Sequence, residues 1–250
     1  MALEDRSLPA RRHRGLVGSL AATAIASQYV PSIVTLGQWG PVRALPGGLC
    51  RWEGPRFPAR VALTFDDGPD PEGTPRILDA LDALELRATF FVLGERARTH
   101  PELLDEVTER GHELATHGDE HERHLLRSPA WVRRDLGRAK DAMERLGHPV
   151  RWYRPAYGQA TGTTLLAARA IGLRTVLWSA WGREWAPPDA HLVAARIARR
   201  LRPGAIVLLH DSDRFGPAGM WRSALDALPL VAAELRRRGL ATATMDQLVA

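Results

Sequence analysis

Short apolar segments alternate with helix-forming segments from Val61 to the C-terminus, and this alternation constrains the fold more than any other feature of the sequence. Strands separated by helices are typical of parallel sheets, in which each helix crosses over between two strands. Seven strands are predicted, one fewer than the common eight-stranded barrel has. The predicted strands cover residues 61–65, 88–93, 112–116, 151–154, 174–178, 205–209 and 241–245.

Capping residues mark the starts of three predicted helices. Ser128-Pro129 and Thr74-Pro75 each place a hydroxyl before a proline, which suits the first position of a helix. Pro188-Asp189 offers a carboxylate cap for a helix over residues 190–201. All three helices would follow predicted strands, as crossover connections require.

Two adjacent carboxylates, Asp66 and Asp67, follow the first predicted strand and precede the turn-forming pair Gly68-Pro69. Because neighbouring residues of a strand point to opposite faces, we expect the two carboxylates to have different roles. One can bind a metal ion, while the other acts as a base on whatever that ion holds. The alternative is an ordinary turn, since aspartate, glycine and proline all favour turns.

His117 and His121 lie four residues apart, just after the predicted strand 112–116. On a helical turn this spacing places both imidazoles on one face, with their Cβ atoms about 5–6 Å apart. With Asp67 they would supply the three protein ligands of a catalytic zinc site, which leaves a position open for water. Alternatively, the two histidines are simply solvated in a charged stretch. His124 is interpreted as a spectator.

Ionisable residues follow other predicted strands as well. Arg154 ends the fourth predicted strand, Glu184 lies beyond the fifth, and His210 follows the sixth. In a parallel barrel the C-terminal strand ends form one face, which carries the active site because the loops after the strands converge there. The residues that we expect at this face are Asp66, Asp67, His117, Arg154, Glu184 and His210.

Five motifs occur in a fixed order along the chain. They are Thr64-Phe65-Asp66-Asp67-Gly68-Pro69, His117-x-x-x-His121, Arg154-Pro155-Ala156-Tyr157-Gly158, the tryptophan-rich segment 178–185 and Leu208-Leu209-His210-Asp211. In this order they resemble the motifs of the polysaccharide deacetylase family, also called carbohydrate esterase family 4 or the NodB-homology domain. The resemblance extends over about residues 58 to 246. It implies an α/β fold, a distorted (β/α) barrel with about seven parallel strands.

The resemblance also implies a metal-dependent hydrolase that removes N-acetyl groups from glycans. Asp67, His117 and His121 would hold one divalent metal ion, expected to be Zn2+, which lowers the pKa of a bound water towards neutrality. Asp66 would act as the base that takes the proton of this water. His210 would act as the acid that protonates the leaving amine.

Other residues would support these groups. Arg154 would pair with the catalytic base and keep it ionised, and Glu184 would hold the catalytic acid in its charged form. By the same resemblance, the backbone N–H of Tyr157 would stabilise the oxyanion. Leu208 would form an apolar floor for the acetyl methyl group, and Trp181 would contact sugar.

The sequence departs from the family's pattern at two motifs. Gly118 stands where the family usually has a serine or threonine that braces the metal-binding loop. Trp181 and Glu184 stand where the family usually has two aspartates. The glutamate keeps the charge on a longer side chain, whereas the tryptophan does not. The neighbouring Trp178 and Trp185 are expected to belong to the core.

Composition indicates a globular enzyme of one catalytic domain. The chain has 250 residues, of which 45% are hydrophobic and 25% charged. The net charge of +5 comes from arginines that are scattered over predicted helices, so we expect no nucleic-acid partner. An acidic envelope polymer stays open as a partner. A single cysteine, Cys50, excludes an intrachain disulfide.

The N-terminal segment carries features of export. Basic residues at 11–14 precede an uncharged stretch over 15–42, in which Ala24-Ile25-Ala26 resembles a cleavage site. We therefore expect residues 1–50 to form a signal, an anchor or a surface helix with a linker, and residues 51–250 to form the catalytic domain. Residues 11–42 would attach the protein to a membrane or direct its secretion. The alternative is a cytoplasmic protein.

Two rival functions stay open beside N-deacetylation of a glycan. The substrate could be an ester or another amide. The chain could instead be a sugar-binding domain that has lost turnover, because Gly118 and Trp181 depart from the family's pattern. Neither the native metal ion, nor the glycan, nor the oligomeric state follows from the sequence.

Overall fold

The structure, a computed structural model, describes residues 49–186 and 189–250. Nine strands and eight α-helices lie within these residues. The strands are β1 (Cys50–Arg51), β2 (Arg60–Asp66), β3 (Ala88–Val92), β4 (Glu113–Thr116), β5 (Trp152–Tyr153), β6 (Arg174–Val176), β7 (Ala180–Trp181), β8 (Ile206–His210) and β9 (Ala241–Thr242). The helices are α1 (Gly73–Ala83), α2 (Gly94–Thr99), α3 (Pro101–Glu109), α4 (Pro129–Arg145), α5 (Gly162–Ala170), α6 (Ala190–Ala198), α7 (Met220–Arg237) and α8 (Met245–Val249).

The strands form one curved parallel sheet. Its order is β1-β6-β5-β4-β3-β2-β8-β7, and β9 pairs with the start of β2. Every ladder between named strands is parallel. Among the described residues, β1 and β7 are not paired with each other, so the barrel is open and distorted. The predicted fold class is therefore confirmed, with eight strands along the main path instead of about seven.

Strand lengths differ from the prediction where strands are very short. The sequence does not predict β1 and β7, because neither two-residue strand lies within one of the predicted apolar runs. The last predicted strand, 241–245, is too long, since β9 ends at Thr242. Thr244 caps α8 by accepting the backbone N–H of Gln247, and this cap starts a helix where the prediction continued the strand.

Two of the three predicted helix starts are confirmed. The Ser128 side chain accepts the backbone N–H of Trp131 at the start of α4, and Asp189 caps α6. Helix α6 ends at residue 198, earlier than predicted. The prediction for Thr74 is wrong, because α1 begins one residue before it. The Thr74 hydroxyl instead donates to the carboxylate of Asp211, at 2.6 Å.

Alternate side chains of the central strand β2 pack on opposite sides of the sheet. Val61, Leu63 and Phe65 are fully buried in the large cluster that the sheet forms with the helices. Ala62 belongs to a smaller cluster on the other side of the sheet. By the same alternation, Asp66 at the C-terminal end of the strand points to the side of Ala62, into the barrel. The alternation along β2 thus places the carboxylate of Asp66 inside the barrel, at the C-terminal end of the strand.

The N-terminal predictions lie outside the described residues, except at the expected boundary near residue 50. Strand β1 straddles that boundary and pairs with β6. The thiol of Cys50 is free and buried. Of the helices in the described ranges, none has the length and apolarity needed to cross a membrane.

Packing around β2 can be tested at Phe65. Its ring is fully buried and stacks on Phe90, with ring centres 5.1 Å apart. Phe65→Ala should lower the free energy of unfolding by about 3–5 kcal/mol, because it leaves a cavity in the core. Urea unfolding measures this change. Phe57→Ala is the matched control, since Phe57 is 87% exposed. Equal losses in the two variants would contradict this account of the core.

Candidate active site

A cavity of about 410 Å3 opens at the C-terminal ends of the strands. Its lining combines ionisable groups with aromatic and apolar groups. The lining residues are Asp66, Asp67, His117, His121, Tyr157, Gly158, Trp178, Trp181, Trp185, Leu208, His210, Phe215, Gly216, Pro217 and Met220. Eight of the ten site residues predicted from the sequence are among them. The other two, Arg154 and Glu184, lie directly behind Asp66 and His210.

Asp66 and Asp67 face the same cavity, and the expectation that they point to opposite faces is wrong. Asp66 is the last residue of β2, and Asp67 has a φ of +79°, in the left-handed region. Strand alternation holds only while the chain is extended, so this turn brings the second carboxylate back beside the first. Gly68 is required next to it, because a Cβ there would lie 2.2 Å from the Asp211 carboxylate.

Asp67, His117 and His121 form the candidate metal site. Oδ1 of Asp67 lies 3.4 Å from Nε2 of His117 and 3.3 Å from Nε2 of His121. The three ligand atoms all lie within 4.8 Å of one another. Oδ1 of Asp67 is buried and accepts no hydrogen bond within the described residues. A buried carboxylate oxygen that faces two imidazole nitrogens fits a divalent cation.

The protonation of the two histidines also suits a cation. Burial raises the pKa of Asp67 to about 7 and lowers the pKa values of His117 and His121 to about 3. Both imidazoles are therefore neutral at pH 7, and neutral imidazole is the form that binds metal ions.

The two histidines do not lie on a helical turn, so that part of the prediction is wrong. His117 follows β4 directly, and His121 lies in the irregular loop that comes next. The two rings are 5.3 Å apart, and Gly118 between them has a φ of +97°. His124 lies outside the cavity lining, and its Nε2 is 3.4 Å from a carboxylate oxygen of Asp135. It takes no part in the candidate metal site.

Asp66 is held by a buried ion pair. Nη1 of Arg154 donates to Oδ1 of Asp66 at 2.6 Å and to the hydroxyl of Thr64 at 2.8 Å. Burial raises the pKa of Asp66, while the charge and hydrogen bond of Arg154 act in the opposite direction. The guanidinium thus favours the ionised carboxylate, the form that can accept a proton.

His210 is paired with Glu184 at the C-terminal end of the neighbouring strand β8. Nδ1 of His210 lies 3.2 Å from Oε1 of Glu184, whose side chain is buried. Burial alone would lower the pKa of His210, but the hydrogen bond and charge of Glu184, together with the charges of Asp67 and Asp66, outweigh it and raise that pKa to about 9. The imidazole is therefore charged at pH 7 and can donate a proton from the ring nitrogen that Glu184 does not engage.

The three residues predicted to contact substrate also border the cavity. Tyr157 lies in a short 3-10 turn over Ala156–Gly158 with a φ of +55°, and its ring centre is 4.5 Å from that of His121. Leu208 is buried in the floor. Trp181 forms part of the aromatic wall and packs edge-on against Trp185, with ring centres 5.4 Å apart.

The sequence does not predict the remaining aromatic lining. Phe215, in the loop after β8, stacks on His121 with ring centres 4.1 Å apart. The sequence offers one indication of a role for Phe215 at the site: it is an aromatic residue in a loop with glycine and proline, close to the last motif. The expectation that Trp185 is a core residue is wrong, since it is 37% exposed and lies 5.8 Å from the ring of His210. Trp178 packs partly in the core, as expected, but also lines the cavity.

Comparisons with known proteins find similar sequences and structures. The family model described as "Polysaccharide deacetylase" matches residues 54–176. A peptidoglycan-N-acetylglucosamine deacetylase of Bacillus cereus is 33% identical over 209 residues, which are 82% of this chain and 94% of the relative. A chitooligosaccharide deacetylase of Bradyrhizobium is 36% identical over 199 residues, 75% of this chain and 90% of the relative. The solved structure of the Bc1960 peptidoglycan N-acetylglucosamine deacetylase superposes with a TM-score of 0.77, at 29% identity, over 84% of this chain and 97% of its own.

The ligand set can be tested with zinc alone. His117→Ala should abolish measurable zinc binding, because three protein ligands are the minimum for a site of this type. Isothermal titration calorimetry on the full chain measures the affinity. His191→Ala is the control, since His191 is exposed and lies on α6, outside the cavity lining. Unchanged zinc binding by His117→Ala would exclude the assignment.

Proposed function

The chain belongs to the polysaccharide deacetylase family of hydrolases, and we propose that it hydrolyses N-acetyl groups of an N-acetylated glycan in the cavity described above. One observation supports this proposal most directly. A carboxylate paired with arginine and an imidazole paired with glutamate flank the candidate metal site, on the neighbouring strands β2 and β8. This arrangement provides a base and an acid for hydrolysis of an amide bond.

A divalent cation held by Asp67, His117 and His121 would supply Lewis-acid chemistry, polarising the acetyl carbonyl and making water a better nucleophile. Asp66 accepts the proton of the attacking water as the new C–O bond forms. Its ion pair with Arg154 keeps it ionised for this task. The backbone N–H of Tyr157, beside His121, is the proposed donor to the oxyanion.

Collapse of the tetrahedral intermediate breaks the C–N bond. His210 donates its proton to the departing amine, so the products are acetate and a free amino sugar. Glu184 keeps the imidazole charged before this step. Leu208 in the floor offers an apolar surface to the acetyl methyl group, and the Trp181 ring offers a face to a sugar ring.

The direct test measures acetate released from N-acetylated glycans by the zinc-loaded full chain. Turnover of N-acetylated but not of O-acetylated glycans supports the proposal. Preference for an acetyl ester would favour the ester alternative. Sugar binding with one bound zinc ion and no acetate release would favour the binding domain without turnover.

We also propose that the protein acts outside the cytoplasm, through residues 11–42. The peptidoglycan substrate named for the Bacillus cereus relative supports this, because that polymer lies outside the membrane. Fractionation of cells that produce the full chain, compared with a chain that lacks residues 1–48, tests the proposal. Equal amounts of both proteins in the cytoplasmic fraction would contradict it.

The separate roles of the two aspartates give a further prediction. Asp66→Asn should retain zinc binding but lower kcat about 100- to 10,000-fold, because it removes the base and not a ligand. Asp67→Asn should weaken zinc binding as well. Calorimetry and acetate release on both variants measure these effects. If Asp66→Asn loses zinc while Asp67→Asn keeps it, the two roles are exchanged.

Glu184 gives a prediction on pH dependence. The protonated imidazole of His210 is the active form, so activity is lost as the pH rises through its pKa of about 9. Glu184→Gln keeps the shape but removes the charge, and should move this high-pH limb towards or below the ordinary histidine pKa of about 6.5. Zinc content should not change. Glu184→Asp should retain more activity than Glu184→Gln. An unmoved limb in Glu184→Gln would show that Glu184 does not tune the acid.

A further inference from the structure

Arginines gather at the N-terminal ends of the parallel strands, at the end of the barrel opposite the cavity. This N-terminal face consists of the connections that lead into strands, counted to the first residue of each strand, and of α8, which contacts Arg60 and Arg151. The connections cover residues 52–60, 84–88, 110–113, 146–152, 171–174, 199–206 and 238–241. Together with α8 they contain ten arginines, no lysine and four carboxylates. The arginines are far apart in the sequence, and the fold brings them to one surface.

Much of this positive charge is not paired within the protein. Six of the ten arginines are exposed and form no ion pair with a carboxylate of the described residues; they are Arg56, Arg60, Arg87, Arg174, Arg199 and Arg200. The other four are paired, as Arg151 is with Asp246 at 3.2 Å. The last four residues of the helices that end at this face, α1 and α3 to α7, add five basic and five acidic residues. These helix ends therefore leave the excess of positive charge unchanged.

The C-terminal face, which carries the cavity, has the opposite charge. It consists of the connections that leave β2 to β8, counted from the last residue of each strand, over residues 66–72, 92–93, 116–128, 153–161, 176–186, 189 and 210–219. These residues include five arginines and eleven carboxylates. The two ends of the barrel thus differ in sign. A charge distribution of this kind turns the basic end of a protein towards a negatively charged surface.

The chain reaches the catalytic domain at the basic end. Cys50 pairs in parallel with Thr175, so the chain enters β1 level with Arg174 at the start of β6. Seven residues separate Leu49 from residue 42, the end of the segment proposed above to attach the protein to a membrane. An extended chain spans at most about 3.6 Å per residue, so this stretch reaches no further than about 25 Å. Attachment through residues 11–42 therefore keeps the N-terminal face close to the lipid surface.

The N-terminal segment does not supply the negative charge that would neutralise this face. Residues 1–48 contain five arginines and two carboxylates. Lipid phosphates do supply it, and a guanidinium matches the geometry of a phosphate with two parallel hydrogen bonds. We infer that the N-terminal face binds the anionic headgroups of a lipid membrane, which directs the cavity away from the membrane. This inference rests on the proposed membrane attachment and adds a second contact to it.

Vesicle binding by the full chain tests this contact. Co-sedimentation compares vesicles of phosphatidylcholine alone with vesicles that also contain phosphatidylglycerol. The full chain should bind the anionic vesicles at least about tenfold more tightly, because several arginines lie near the lipid charges. The Debye length falls from about 10 Å at 0.1 M salt to about 3 Å at 1 M, so the advantage should disappear in high salt.

Two triple variants with the same net charge connect the binding to one face. Arg56→Gln, Arg199→Gln and Arg200→Gln are combined in the first, because these exposed side chains form no hydrogen bond within the described residues and their loss does not threaten the fold. This variant should bind anionic vesicles about 10- to 100-fold more weakly. The matched control combines substitutions to glutamine at Arg123, Arg183 and Arg214, which are exposed at the C-terminal face. It should bind like wild type.

Hydrogen exchange on the vesicles shows which face is in contact. Backbone amides of residues 171–174 and 199–204 should exchange more slowly on anionic vesicles, whereas those of residues 211–219 beside the cavity should not change. Protection of the cavity loops instead would overturn the inference. An equal loss of binding in the two triple variants would also overturn it, since net charge alone would then determine binding.

The remaining outcomes distinguish this inference from the proposals on which it rests. Equal binding to neutral and anionic vesicles would overturn the contact while leaving attachment through residues 11–42 intact. Binding of soluble polyphosphate through the same three arginines, without binding of vesicles, would replace the membrane with a soluble polyanion as partner. None of these results bears on acetate release from a soluble oligosaccharide, which tests the deacetylase function separately.

Discussion

The buried ion pair between Arg154 and Asp66 is the interaction on which the site depends. Arg154 is fully buried, and its guanidinium lies 4.0 Å from the ring centre of Phe91. Removing both charges from water costs several kcal/mol per ion, so such a pair is weak evidence for stability in itself. The position of the ion pair explains its presence, because the arginine stabilises a negative charge at the C-terminal end of the central strand. Loss of either partner would leave the other charge buried and uncompensated.

The regular part of the fold could be predicted from the sequence because each element carries a local signal. Apolar runs marked the long strands, and Ser128 and Asp189 marked two helix starts by their capping side chains. The chemistry of the site followed from residue type at strand ends, where Asp66 and His210 lie. The short strands β1 and β7 gave no such signal, because their partners along the sheet, and not their own sequence, hold them extended.

The parts of the site that could not be predicted are those where the backbone leaves regular structure. Asp67 and Tyr157 both have positive φ values, which residues other than glycine adopt only when the surroundings impose them. Here the surroundings are remote in sequence, as with the Asp211 carboxylate packed against Gly68. Phe215 illustrates the same limit, since its stacking on His121 joins loops that are far apart in the chain. Tertiary contacts determine these features, and a single sequence does not display them.

The register of β2 and β8 has a consequence for how the chemistry can vary. Asp66 and His210 are direct partners in this ladder, so the spacing of hydrogen-bonded strands, about 4.8 Å, sets the distance between their backbones. Changes in the surrounding loops leave that distance unaltered, because it belongs to the sheet. The proposed proton acceptor and the proposed proton donor are therefore held at a fixed separation by the sheet, and the aromatic loops around them can change in sequence without altering that separation.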